Sequence, residues 1–279
     1  MRRVMKIPLA RLSDKNEALA EALPKFETVE KARAEKCLRE KSLQKYQGKV
    51  YRDLFKKLKD CHPLYPCGSA ACPECFRKHR LEMISEVLRL CKNLKEWRSA
   101  TLIFYQDAFY DNELLYWQPD KLIARLRRWL KECGFDEMVI GGFELDFHSE
   151  DNKWMPHFHL IIPNDKNAIE RLRLKMKNKR NMNTRKNVIN RPVLVSKLKK
   201  TMRQVSYRFK AIWWRVESIQ YDDYHMLGSK ERKRKRWTKK YRLLRKQYVN
   251  SLIKLDSIGI AGLTFMYKVR KYGDHLILK

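Results

Sequence analysis

Two neighbouring runs restrict the fold more than anything else in the chain: residues 138–147 (MVIGGFELDF) and 157–162 (HFHLII), joined by a polar loop that ends in Pro156. Both are short, rich in branched and aromatic residues, and bounded by polar segments. That pattern predicts an antiparallel hairpin. Successive strand residues point to opposite faces. His157 and His159 therefore share one face, while Phe158, Leu160 and Ile162 lie on the other, where a core can cover them. Glu144, Asp146 and His148 likewise share a face of the first strand. Two imidazoles beside a carboxylate suit a divalent ion that keeps positions open for substrate, such as Mg²⁺ or Mn²⁺. The competing reading is a pair of ordinary hydrogen-bonded strand histidines. The acidic strand beside them favours a metal site, with Glu144, Asp146 and His148 all open as third ligand.

The surrounding pattern extends the sheet. Residues 100–105 (ATLIFY) read as a strand. Asp120 can cap a helix whose stripe is Leu122, Ile123, Leu126, Trp129 and Leu130, with Gly134 as its stop. Asn164 or Asp165 opens another helix through Ile169, Leu172 and Met176. A helix through residues 81–94 carries Met83, Ile84, Val87, Leu88 and Cys91. The strand–helix–strand–strand–helix order predicts an α+β fold with a central, mostly antiparallel sheet and flanking helices. A small Cys-rich, zinc-like module precedes it. We divide the chain into a helical region (1–60), the Cys-rich module and its helix (61–95), an α+β domain (96–220) and a basic C-terminal region (221–279).

A long helix is predicted from residue 193 to about 216. Leu194, Leu198, Met202, Val205, Phe209 and Ile212 form one seam at helical spacing. Tyr207 falls nearly opposite, beside Lys199, Lys200, Arg203 and Lys210. A tyrosine turned from the core and surrounded by cations can meet a phosphate. The plainer alternative is one surface aromatic among 13 tyrosines.

Four of the seven cysteines, Cys61, Cys67, Cys72 and Cys75, fall within 15 residues as C-x5-C-x4-C-x2-C. Such spacing reads as a metal site before disulfides, and Zn²⁺ accepts four thiolates readily. His62 or His79 can substitute for one thiolate, and an iron–sulfur cluster or plain buried thiols are the alternatives. Cys37, Cys91 and Cys133 read as lone residues.

Lys and Arg number 63 against 32 Asp and Glu, a formal net charge of +31. A balance this basic favours polyanions, nucleic acid first. Residues 230–246 alone hold 11 Lys or Arg, including Arg232, Lys233, Arg234, Lys235 and Arg236, with Trp237 and Tyr241 interleaved. Cations neutralise phosphates and aromatics stack on exposed bases. We expect this segment, distant in sequence from the histidine strand, to bind DNA non-specifically or close to an origin. The longest weakly polar run, residues 257–266, is far short of the roughly 20 residues that span a bilayer. The first residues form no signal peptide, so a cytoplasmic location without membrane contact is expected. No G-x-x-x-x-G-K-[ST] phosphate loop occurs, so no helicase is built in.

Taken in order, TLIF, GGFELDF, P-H-F-H-L-I-I and S-Y-R-F-K resemble the single-tyrosine rolling-circle replication initiators of plasmids, within the HUH endonuclease superfamily. The resemblance covers roughly residues 61–216. His157, Phe158 and His159 stand at the His–hydrophobic–His motif, Tyr207 and Lys210 at the Y-x-x-K motif, and CGSAACPECFRKHR resembles the family's Cys-rich region. The resemblance implies an HUH-type nuclease domain. Tyr207 would attack the scissile phosphate and form a 5′-phosphotyrosyl link, leaving a free 3′-hydroxyl. Lys210 would stabilise the phosphate, and His157, His159 and Glu144 would hold Mg²⁺ or Mn²⁺. It also implies single-stranded or hairpin origin DNA as substrate and a host helicase and polymerase as partners. The carboxylate that some relatives place one turn before the tyrosine is absent, since positions 203 and 204 are Arg203 and Gln204. How the reaction ends is therefore open. The alternatives are a single-strand transposase or relaxase of the same superfamily, or a non-catalytic zinc protein that binds nucleic acid.

Overall fold

A computed structural model describes residues 17–23, 25–182, 190–198, 201–210, 212–222 and 234–279, with the side chains of 94, 201, 218–222 and 234–237 excepted. Among these, helices α1 (Val29–Gln44), α2 (Lys49–Lys59) and α3 (Pro73–Leu90) precede strand β1 (Trp97–Ile103) and the short β2 (Phe109–Tyr110). Helix α4 (Asp120–Glu132) leads to β3 (Val139–His148), β4 (Lys153–Pro163) and α5 (Lys166–Met176). Strand β5 (Val193–Lys197), helix α6 (Thr201–Arg208) and strands β6 (Trp214–Asp222) and β7 (Arg234–Arg242) follow. Helix α7 (Arg245–Leu263) and strands β8 (Thr264–Tyr267), β9 (Val269–Tyr272) and β10 (His275–Leu278) end the chain.

The fold is α+β. One sheet runs β5-β1-β4-β3-β6-β7, with β2 added to β4 and β8 to β3, and β9 and β10 form a separate ribbon. Every pairing is antiparallel except β3 with β6. The 3–4 hairpin places Glu144 opposite His157 and Gly142 opposite His159. One face of the sheet carries Ala100, Leu102, Phe143, Phe158 and Leu160, all fully buried in a core with Leu126, Leu130, Leu172 and Leu255 from α4, α5 and α7. On the other face, Trp97, Ile140 and Ile161 pack against Leu81, Ile84 and Val87 of α3 and Val205 of α6. Beyond those helices the same face turns polar, and there the candidate site lies.

Several expectations need correction. The long helix over 193–216 does not form. Val193, Val195 and Lys197 instead pair along β1 as an edge strand, and only the eight residues of α6 are helical. Leu198, Val205 and Phe209 of the expected seam are buried, whereas Leu194 and Ile212 are exposed. Asp120 is the first residue of α4 and not its cap; Pro119 occupies the cap. The α3 helix begins at Pro73, about two turns earlier than its apolar spacing suggests, because proline is pre-organised for a first helical position, and it ends at Leu90. Helix α7, interrupted at Gly259 (φ 70°), lies in the segment read as a basic C-terminal region, and three short strands follow it. Asp165 does cap α5, accepting from the Asn167 and Ala168 amides.

His79 of α3 ties this helix to the head of β8 through Thr264 Oγ1, 2.9 Å from its Nε2. Burial, with Lys271 nearby, lowers the His79 pKa to about 4. The unfolded chain, near its ordinary value of about 6.5, therefore binds more protons at mildly acid pH. This contribution to stability is complete above the unfolded value and is lost as pH falls toward the folded one. Between about pH 7 and about pH 5 the wild type is expected to lose about 2 kcal/mol relative to His79→Gln. Paired urea titrations at the two pH values measure it; parallel changes in both proteins would refute it.

Candidate metal and tyrosine site

The site is assembled from strand alternation. His157 and His159 project from β4 and Glu144 from β3 to the same side, and their ligand atoms all lie within 4.8 Å of one another. His157 Nε2 is 3.5 Å and His159 Nε2 3.7 Å from Glu144 Oε2. Asp146 Oδ2 is 3.9 Å from His157 Nε2 but outside that group of three, as is His148. Of the three carboxyl and imidazole alternatives, Glu144 is the one that converges on both histidines.

The hydrogen bonds suit a cation. His157 Nδ1 stands 3.1 Å from the Met155 carbonyl, which can only accept, so that nitrogen carries the proton and Nε2 presents a lone pair. His159 Nδ1 has Thr101 Oγ1 at 2.9 Å, which can accept its proton and leave Nε2 with a lone pair, and Arg208 Nη1 at 3.2 Å, which can only donate and favours the opposite tautomer. Arg208 is buried and also donates to Ser99 Oγ. His159 Nε2 and Glu144 Oε1 are both buried with no hydrogen-bond partner. A buried polar atom left unpaired costs about 1–3 kcal/mol. An orphaned oxygen on Glu144 and an orphaned nitrogen on His159, in a group whose ligand atoms lie within 4.8 Å of one another, fit a bound divalent ion.

Charge is concentrated around this point. Burial disfavours the His157 cation, but the Glu144 and Asp146 carboxylates outweigh it and raise the pKa above the ordinary value. For His159 burial dominates and is reinforced by His157 and Arg208, so its pKa falls and the ring is neutral. Burial also works against the Asp146 carboxylate, yet His157, Lys240 and the Trp214 amide hold its pKa down. Lys240 Nζ sits 2.5 Å from Asp146 Oδ2, and the Trp214 amide donates to Oδ1 at 3.1 Å.

Tyr207 stands at the mouth, in the last turn of α6. Its ring centroid is 5.1 Å from the His159 ring, and Lys210 Nζ lies 3.3 Å over the ring's own centroid. Gly142 makes this approach possible: a Cβ there would fall 2.1 Å from the Arg208 carbonyl oxygen. The tyrosine remains 37% exposed, and burial raises its pKa. Burial pushes the Lys210 ammonium down to about 8. Arg203 is exposed on the same helix.

The second cluster lies before and within the first turn of α3. Cys61 Sγ is 3.5 Å from Cys75 Sγ and 3.7 Å from Cys72 Sγ, and Cys67 Sγ is 3.6 Å from Cys75 Sγ. A tetrahedral ion with Zn–S bonds of about 2.3 Å needs sulfurs about 3.8 Å apart. The cluster therefore has nearly the size of a Cys₄ zinc site and is far too open for disulfides. The thiols also share protons unevenly, with the Cys67 pKa lowered by bonds to Cys72 and Cys75. His62 turns out to the surface and His79 to Thr264, so neither joins the thiols.

Lys199, Lys200, Arg232 and Lys233 lie outside the described residues. Arg234, Lys235 and Arg236 form the start of β7, opposite Asp222, Tyr221 and Gln220 of β6. Sequence reasoning missed the roles of Thr101, Ser99 and Arg208 around His159, and it missed Lys240. Lys240 was visible only as one of 11 cations in the basic segment. No helix of the described residues is long and apolar enough to cross a membrane. Comparison with family models, with curated proteins and with solved structures finds no match.

Proposed function

We propose that this protein nicks and rejoins single-stranded DNA through Tyr207, as a rolling-circle replication initiator of the HUH type does. The observation that supports it most is one juxtaposition: Tyr207, with Lys210 against its ring, stands beside a His–His–Glu cluster whose unpaired buried atoms suit a divalent cation. A nucleophile, a cation and a metal-capable cluster within one small area are what phosphoryl transfer from DNA requires.

In this reading His157, His159 and Glu144 hold Mg²⁺ or Mn²⁺, which when bound supplies Lewis acidity to the scissile phosphate. Tyr207 Oη attacks phosphorus in line. The Oη–P bond forms, the P–O3′ bond breaks, and the tyrosine proton is balanced by protonation of the departing 3′ oxygen. The 5′-phosphotyrosyl product retains the energy of the phosphodiester, so attack by a 3′-hydroxyl reverses the step without ATP. Lys210 and Arg208 keep the site cationic as the phosphate gains charge. The Cys₄ cluster holds zinc and fixes the loop ahead of α3. The free 3′-hydroxyl primes a polymerase after a host helicase unwinds the duplex.

The test uses a labelled single-stranded DNA pool of random sequence. With Mn²⁺ or Mg²⁺, the wild type is expected to yield a covalent protein–DNA adduct that survives denaturation. Chelator, or His157→Ala with His159→Ala, is expected to lower its yield about 1,000-fold or more, the scale of a lost oxyanion-stabilising group. Undiminished adduct with both imidazoles gone would end the metal assignment. A wild type that binds the pool but never forms an adduct would favour a non-catalytic zinc protein.

A further inference from the structure

We infer that Lys240 binds a phosphate of the DNA strand at the tyrosine site, so that the basic β6–β7 hairpin forms one wall of that site. The inference rests on the nicking reading for its substrate. Lys240 lies opposite Val216 on β6, and Val216 lies beside His148 on β3. This register carries the lysine to the face of Glu144, Asp146 and His157. Its ammonium bonds Asp146 Oδ2, one of three donors it possesses, and the side chain stays 39% exposed. Part of the side chain thus reaches solvent beside the cluster, and two of its donors remain for another anion. Two carboxylates, Glu144 and Asp146, are there outnumbered by Lys210, Arg208 and Lys240. A divalent ion in the His–His–Glu cluster would widen that excess of positive charge. An anionic strand is the ligand that such a balance attracts.

Lys240 also acts electrostatically on Tyr207, where it offsets part of the burial that raises the phenol pKa. Its neighbour Lys239 differs: one step along the strand, it faces the other way, with Nζ 5.2 Å from the Tyr241 ring. This pair provides an internal control on one strand.

The competing role for Lys240 is to neutralise Asp146 and nothing more. A double-mutant design separates the two. In an Asp146→Asn background, fluorescent oligothymidylate is titrated in chelator. Adding Lys240→Met is expected to weaken affinity about fivefold and to reduce the salt slope by about 0.7, one phosphate contact on a single strand. Lys240→Arg should stay within about twofold, and Lys239→Met should lose less than half as much affinity as Lys240→Met. With Mn²⁺ and the random-sequence pool, Lys240→Met should slow adduct formation about 100-fold at saturating protein. If Lys240→Met changes neither affinity nor slope once Asp146 is already Asn, the lysine serves Asp146 alone and the inference falls. Equal losses from Lys239→Met would make the effect one of diffuse charge and overturn it too. If affinity responds as expected but the wild type forms no adduct, Lys240 stands as a phosphate contact and the nicking reading fails.

Discussion

Replacing Tyr207 with Phe is expected to abolish the covalent adduct and to lower strand cleavage by about 10⁴-fold or more while DNA affinity stays within about threefold. Losing the nucleophile of a covalent mechanism removes the step itself, so effects of this size are normal. The substitution deletes one oxygen. The phenyl ring that lies 5.1 Å from His159 and beneath Lys210 is kept, so the surrounding packing is kept as well. Gel analysis after denaturation reads the adduct, and anisotropy reads affinity. An adduct that persists in the variant would move the nucleophile to another tyrosine, Tyr221 or Tyr224 being nearest in sequence.

The parts of this site legible in the sequence are those set by local geometry. Strand alternation alone puts His157 with His159 and Glu144 with Asp146, and the structure brings those strands into direct register. The cysteine spacing foretold four converging sulfurs for the same reason, since a short segment can only close on itself in a few ways. The helix expected over 193–216 failed because its apolar spacing satisfied helical period while its pairing partner, β1, was more than 90 residues away in the chain. Val193 and Val195 gain more from that edge than from a helix. Lys240 was illegible for a related reason. Its place at Asp146 depends on two successive strand registers, β7 on β6 and β6 on β3, and neither is encoded nearby.

Cys72→Ser is expected to lower stability by about 3–5 kcal/mol and the thermal midpoint by about 10 °C, with loss of bound zinc. The free energy of a structural ion is folding free energy, and one missing thiolate forfeits much of it. Cys72 caps α3 and is fully buried, and Leu81, Ile84 and Val87 on that helix pack against the sheet face that carries the site. Cys37→Ser, at an exposed position, should leave both midpoint and metal content unchanged. Metal analysis with calorimetry checks both variants. Purified wild type containing neither zinc nor iron, with a midpoint insensitive to chelator, would leave four plain thiols.

The pairing of β8 with β3 bears on how this sheet is completed as the chain is made. Thr264 lies opposite Gly142 and Tyr267 opposite Val139, so the strand bearing Glu144 waits for partners translated more than 120 residues later. Until they emerge, half of its edge is open to any passing strand, the condition under which nascent chains associate wrongly. A product cut short before residue 264 would carry the histidines, the carboxylate and the tyrosine together, but on a sheet with a bare flank. The flank of the strand that carries Glu144 is thus closed only once residues 264–267 are present.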